Sequence, residues 1–251
     1  MSVTTDCNLT PPRVLGLKSM RVLISQQRST NRHGAECDSL EAAYVDFWVS
    51  QGVWPLAVPN LGTGKTREYV ERLPDVDGVI LSGGNDICPQ TYGRAQAVDG
   101  GECALIRDAT EWELLDLAVE KRLPVFCICR GMQFLNVYFG GGLVRDLGNA
   151  VGEQHAGAEH DLLLTEESVA RFLGVSSWRM RSFHNQGVLV STKAPALRSF
   201  VIAPHGQVVE GLFHPKLPMA GVQFHPEREA TVASYMQRLI EAFKTRGLFW
   251  S

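Results

Sequence analysis

A mostly parallel α/β sheet, flanked by helices on both faces and carrying an antiparallel extension, is the fold this sequence predicts. In its first part, short β-rich runs alternate with amphipathic segments, the pattern of a parallel sheet covered on both sides. Beyond Gly148 the β-rich runs follow one another directly, which predicts antiparallel neighbours. No internal repeat, linker or low-complexity stretch divides the chain, so a single domain over residues 20–251 is expected, preceded by a loose tail over residues 1–19.

The first strand is "RVLIS" (21–25), directly after Met20, which is itself a conceivable start. Asp38-Ser-Leu-Glu41 has the form of a capping box, and Leu40, Ala43, Tyr44, Phe47 and Trp48 follow at helical spacing, predicting a helix over 39–51. "WPLAVP" (54–59) returns as a strand, a short helix follows near 66–73, and "GVILSGG" (78–84) is a buried strand ending in glycines. Thr110-Glu-Trp-Glu113 repeats the capping pattern and predicts a helix start, with Leu114, Leu117, Ala118 and Leu123 turned to the sheet. After the stretch "VFCICRGMQFLN" (125–136) come "DLLLT", "WRMRSFHN", "LRSFVIAP", "QVVEGLFH" and "MAGVQFH" as strands, then a closing helix over 231–246.

Composition narrows the function. The 251 residues are 45% hydrophobic and 20% charged with a formal net charge of -3, and no basic run or basic amphipathic helix appears. Nucleic acid and anionic membranes therefore have nothing to bind, and a small molecule is the expected partner. The N-terminus lacks the basic start and apolar core of a signal peptide, and no stretch approaches the roughly 18 apolar residues of a membrane span, so a cytoplasmic protein is expected. Cys7, Cys37, Cys88, Cys103, Cys127 and Cys129 show no framework spacing and are expected to be mostly free thiols.

One thiol stands at a chemically pointed position. "VFCI" reads as a buried strand and "RGMQFLN" as a helix, which places Cys129 on the corner between them. There the free N–H groups and dipole of a helix N-terminus favour thiolate, the nucleophilic form. A sharp elbow needs small residues two before and two after the nucleophile; here these are Cys127 and Gly131. Cys127 is read as a core thiol, and since no second Cys/His pair lies at finger or ribbon spacing, no metal is expected. In "GVQFHPER" (221–228), Gln223, His225 and Glu227 alternate with Val222, Phe224 and Pro226, so an extended chain points His225 and Glu227 to the same side. A carboxylate on Nδ1–H would fix the imidazole tautomer and leave Nε2 for the thiol, making Cys129, His225 and Glu227 a candidate catalytic triad. The Arg130 amide and the glycines of "LSGGND" (81–86), Gly83 and Gly84, are candidate oxyanion donors.

With "LSGGND", "RDATEWELL" (107–115), "CICRGMQ" (127–133), "RSFHNQGV" (181–188) and "GVQFHPER" assembled, the chain resembles the class I glutamine amidotransferases, in their gamma-glutamyl hydrolase branch, from about Met20 to the closing helix. Cys127, where that family usually has glycine, and the lack of a synthetase domain depart from the pattern. The resemblance implies a glutamine amidotransferase-like fold, Cys129 as nucleophile, His225 as base and Glu227 as its orienter. It implies that Gln133 and the segment Ser182, Phe183 and His184 hold a gamma-glutamyl group, and that no cofactor is required. "ISQQR" (24–28), "SGGND", "SFHN" and "HPER" resemble the versions found in gamma-glutamyl-CDP-amidate hydrolases, which act in making the phosphoramidate of capsular polysaccharides. That leaving group would need cations, for which Arg28, Arg107 and Arg130 are candidates, although Arg107 could equally pair with Asp108 or Glu111 to order the helix start. Hydrolysis of gamma-glutamyl-gamma-aminobutyrate and a glutaminase subunit feeding ammonia to a synthetase are the competing functions; a homodimer is the expected assembly.

Overall fold

The computed structural model describes residues 19–93, 103–152, 155–229 and 232–251. The expected tail falls outside these residues except for Ser19. The first half runs β1 (Met20–Ser25), β2 (Gln27–Thr30), β3 (Glu36–Ser39), α1 (Ala42–Ser50), β4 (Val53–Val58), α2 (Lys65–Glu71), β5 (Gly78–Leu81), α3 (Leu105–Lys121), β6 (Val125–Ile128) and α4 (Arg130–Tyr138). The second half runs α5 (Leu147–Val151), β7 (Glu159–Leu164), α6 (Glu167–Leu173), β8 (Ser177–Arg181), β9 (Val188–Leu189), β10 (Arg198–Ile202), β11 (Val208–Phe213), β12 (Met219–Val222) and α7 (Ser234–Thr245).

One large sheet has the order β4-β1-β5-β6-β12-β11-β10-β7-β8, with β9 paired to β11. Its first five strands are parallel and the rest run antiparallel, the predicted class of sheet, although β12, from the part expected to be antiparallel, lies parallel to β6. Alternate side chains of the central strands enter two cores, which is why these strands read as continuous apolar runs. Val22, Ile24, Ile80, Phe126 and Ile128 join Trp48 of α1, Phe243 of α7 and Trp250 on one face. Leu23, Val79, Leu81, Val125 and Cys127 join Leu114, Leu117 and Ala118 of α3 and Met132 of α4 on the other. The C-terminus locks onto the sheet: the Trp250 ring stacks on Phe126 at 5.3 Å and its indole N–H donates to the Val125 carbonyl at 2.7 Å.

Neither expected capping box forms. Asp38 lies in β3 and accepts hydrogen bonds from Arg28 and Asn60, so α1 starts at Ala42 without a side-chain cap. Thr110 sits inside α3, where its hydroxyl donates to the Ile106 carbonyl and accepts from the Gly62 amide. The Glu113 carboxylate instead meets the amides of Gly64 and Arg67 at the start of α2, where the helix dipole favours a negative charge. Long-range partners thus took side chains that local spacing had assigned to caps. The thiol expectation also changes: Cys88 and Cys103 form a disulfide, with Cα atoms 5.0 Å apart beside the bridge between Asp86 and Cys103. Cys37, Cys127 and Cys129 are free.

Candidate active site

The elbow is built by the backbone. Cys129 follows the last residue of β6, donates its amide to the Val222 carbonyl at 2.8 Å and adopts φ 54°, ψ -109° before α4 begins. A positive φ at a residue with a side chain is a strained conformation, costing on the order of 1–3 kcal/mol. Its persistence requires the surroundings to enforce it, and Gly131 explains how they can. A Cβ there would lie 2.3 Å from the Leu81 carbonyl oxygen, so only glycine lets the first turn of α4 press against β5. The Arg130 amide faces the sulfur at the helix N-terminus.

The structure brings the three triad candidates together. Burial opposes ionisation of the Cys129 thiol, but the hydrogen bond and charge of His225, with His184 and the Arg130 amide, outweigh it and hold its pKa below the ordinary value. Burial likewise opposes a charged His225, yet Cys129 and then Glu227 raise its pKa from 6.5 to about 9. Each partner thus favours the charged form of the other, thiolate on Cys129 and imidazolium on His225. His225 Nδ1 donates to Glu227 Oε1 at 2.5 Å. The route to this contact differs from expectation: Pro226–Arg228 is a 3-10 turn rather than extended chain, and the turn folds the carboxylate back onto the ring. Cys127 is fully buried, with its pKa pushed well up by burial and then by the Glu111 charge, as expected of a core thiol.

Cys129 lies on the wall of a cavity of about 460 Å³ shared with Gly84, Arg130, Gln133, Phe183 and His184. Of the oxyanion candidates, Gly83 requires correction. Its amide donates to the Tyr44 hydroxyl at 2.8 Å, and its missing side chain instead admits His225 and Tyr44, which a Cβ would meet at 2.9 and 2.8 Å. Gly84, at φ +111°, lines the cavity. Gln133 also lines it, but its amide nitrogen donates to the Gln186 carbonyl and to Gln223 Oε1. Gln223 in turn directs its own amide at the Cys129 sulfur, 3.5 Å away. Ser182 is buried and bound through its backbone to Gly157 and Ala158. Phe183 stands edge-on to the His225 ring, 43% exposed, with the Arg228 guanidinium 5.0 Å from its centroid.

The expected leaving-group arginines are not arranged for that task. Arg107 is fully buried and directs its guanidinium to Glu111, the Ser82 and Gly83 carbonyls and Asn85. The pairing with Glu111 foreseen for it is present, but deep in the protein rather than on the surface. Arg28 pairs with Asp38 and Glu36, and the Arg130 guanidinium is bound by Glu111 and Asp108. The cation on the cavity wall that sequence reasoning passed over is Arg145, next to Asp146. No short-range pattern marks it, because the loop before α5 reaches the elbow only in the folded chain. Tyr44 was read as a core position, and its hydroxyl contact with Gly83 lay beyond helical periodicity. Gln223 carried a signal, since it shares the alternation of His225.

Residues 14–227 match the family model described as peptidase C26. The chain belongs to the peptidase C26 family. Among its relatives, PB2B2.05 of Schizosaccharomyces pombe is 34% identical over 218 residues, covering 81% of each chain. NtpR of Enterococcus hirae is 31% identical over 200 residues, covering 75% of this chain and 81% of that one. The gamma-glutamyl-gamma-aminobutyrate hydrolase PuuD of Escherichia coli K12 is 29% identical over 228 residues, covering 84% and 87%. The fold of this peptidase C26 member is shared with a glutamine amidotransferase of Thermotoga maritima, at TM-score 0.56 and 17% identity over 92% of this chain and 84% of that one. A structure from Thermoplasma acidophilum superposes with TM-score 0.62 and 17% identity, covering 91% and 94%. The glutamine amidotransferase-like architecture expected from the motifs is the observed one.

Proposed function

We propose that this peptidase C26 member is a cysteine hydrolase of gamma-glutamyl amides, working through a glutamyl thioester on Cys129. The observation that carries the reading is Cys129 at a helix N-terminus, its thiol pKa held down by hydrogen bonding to His225, whose ring Glu227 orients, on the wall of a polar cavity. Attack of the sulfur on the gamma-carbonyl puts negative charge on its oxygen, and the Arg130 and Gly84 amides are the donors proposed to receive it. Imidazolium His225 gives its proton to the departing nitrogen, and the now neutral ring takes a proton from the water that hydrolyses the thioester. The enzyme returns to its ion pair with glutamate released. Nothing in the sequence requires a partner synthetase or a cofactor for this cycle.

For the leaving group we propose an anionic amine, with CDP-amidate as the version that the motif details favour. The name of the Escherichia coli relative favours aminobutyrate instead. Both carry negative charge away from the scissile bond, and Arg145, on the cavity wall beside Asp146, is a cation proposed to meet it. The deciding experiment offers purified protein a panel of gamma-glutamyl amides, including the phosphoramidate and aminobutyrate conjugates and glutamine, and compares kcat/KM. Preference for aminobutyrate would overturn the CDP-amidate choice and leave the reaction class standing. Failure to turn over any gamma-glutamyl amide would overturn the class.

A further inference from the structure

Behind the wall formed by His184, three buried side chains converge with their polar atoms facing one another. Glu210 projects from β11, His184 comes from the loop after β8, and His155 precedes β7. All three are at least 94% buried, their donor atoms lie within 4.8 Å of one another, and none of them belongs to the Cys129, His225 and Glu227 triad. His184 Nε2 is 3.6 Å and His155 Nδ1 is 3.7 Å from Glu210 Oε1, too long for hydrogen bonds. His184 Nε2, both nitrogens of His155 and Glu210 Oε1 have no hydrogen-bond partner among the described residues. Buried polar atoms of this kind need a reason.

The tautomer sharpens the case. His184 Nδ1 stands 2.9 Å from the Gln186 carbonyl, which only accepts, so Nδ1 carries the hydrogen. With Nδ1 so occupied, the ring turns Nε2 toward the carboxylate, 3.6 Å from Glu210 Oε1 and without a hydrogen bond to it. A ligating histidine whose other N–H is held by a backbone carbonyl has this arrangement. Donors at about 2.0–2.1 Å from a tetrahedral ion stand roughly 3.4 Å apart, close to the 3.6 and 3.7 Å that separate the two histidines from Glu210 Oε1. His160, with Nε2 4.0 Å from the same oxygen, is positioned as a fourth donor.

We propose that His155, His184 and Glu210, with His160, form a binding site for a divalent transition-metal ion of the zinc type. Imidazole and carboxylate donors in a small tetrahedral set suit that class of ion rather than calcium or magnesium. The ion would tie the Phe183–Gln186 wall of the cavity to β11, giving it a positioning role and no part in bond breaking. The spacing of the cysteines gave no hint of it, because its donors come from three separate segments.

The test uses tag-free full-length chain carrying Cys129→Ser, so that the reactive thiol takes no part. Metal content by mass spectrometry after zinc loading and dialysis should reach one equivalent per chain and fall on chelation. Cobalt substitution should give the absorption of a tetrahedral site without thiolate charge transfer, and saturating zinc should raise Tm on the order of 5 °C. Glu210→Gln and His155→Asn should each weaken zinc binding by about 100-fold, with circular dichroism confirming the fold of each. Retained binding in both folded variants, a thiolate charge-transfer band, or less than a tenth of an equivalent bound would overturn the proposal. The last result would assign the space between the rings to a proton or water. If both variants fail to fold, the cobalt spectrum of the Cys129→Ser chain alone decides, since absence of tetrahedral absorption refutes the site. Because every readout is binding or stability, the outcome is independent of whether gamma-glutamyl amides are the substrate.

Discussion

Replacing Glu227 with glutamine separates orienting from reacting. His225 holds its proton up to about 9 instead of 6.5. At 1.36 kcal/mol per pH unit this is about 3 kcal/mol in favour of the imidazolium, net of the burial that opposes it. The Cys129 sulfur is the larger favourable influence and Glu227 the smaller, so losing the carboxylate's charge should remove the lesser part of this preference. Glutamine can still accept the Nδ1–H, which preserves the tautomer while removing the charge. The alkaline limb of kcat/KM, where the imidazolium is lost, should therefore move from about 9 down by about one unit. At neutral pH kcat/KM should fall about 10- to 100-fold. The assay is a pH profile of gamma-glutamyl amide hydrolysis for wild type and Glu227→Gln. An alkaline limb that stays in place, or a variant as inactive as Cys129→Ala, would refute this division of roles.

Cys129→Ala should abolish turnover and covalent labelling by a glutamine-like electrophile, while circular dichroism stays native; residual activity above about 1% would remove the nucleophile assignment. Gly131→Ala drives a Cβ to 2.3 Å from the Leu81 carbonyl oxygen and should lower stability by about 2 kcal/mol or more, read by urea denaturation, with a larger proportional loss of activity as the elbow shifts. Arg130→Met leaves Asp108 and Glu111 buried without one of their cations and should cost about 3–5 kcal/mol or prevent folding, measured by thermal unfolding. The double substitution Cys88→Ser with Cys103→Ser opens a link across 15 residues and should cost at most about 3 kcal/mol, whereas reductant should no longer change the variant's stability.

The parallel strands of the first half, the elbow at Cys129 and the His225 and Glu227 neighbourhood were legible because each is written in local pattern. Apolar runs, a corner residue with glycine two positions on, and a histidine two residues from a carboxylate need few partners to be read, even though a turn rather than extended chain joins the last pair. Where the sequence misled, a distant group competed for the same side chain. Asp38 serves Arg28 and Asn60, Glu113 serves the start of α2, and Arg107 serves the loop after β5. The β2 and β3 hairpin and helix α6 were missed for a related reason. They are short, half-exposed elements whose apolar signal is weak on its own. The cluster at Glu210 was invisible in the sequence, since nothing at positions 155, 184 and 210 sets them apart until the antiparallel strands bring them together.

The motif "RDATEWELL" shows how a stretch can be recognisable before its role is. Its Arg107, Asp108 and Glu111 are buried, and with Arg130 they form two positive and two negative charges inside the protein. Such groups are retained at a desolvation cost that hydrophobic residues would avoid, so stability alone is a poor account of them. Their connections suit a different task. Arg107 binds the Ser82 and Gly83 carbonyls at the end of β5, and Arg130 is the residue after the nucleophile, bound by the same Glu111. The network therefore fastens the glycine loop and the elbow to one helix, α3, in a fixed register. Salt bridges require specific angles and distances where an apolar contact tolerates sliding, so a charged clamp holds Gly84 and Cys129 at a defined separation. Catalysis on a tetrahedral oxyanion depends on that separation, because donors displaced by an ångström lose most of their effect. The same side chains that looked available for a phosphate are thus better understood as the frame that makes the thiolate useful.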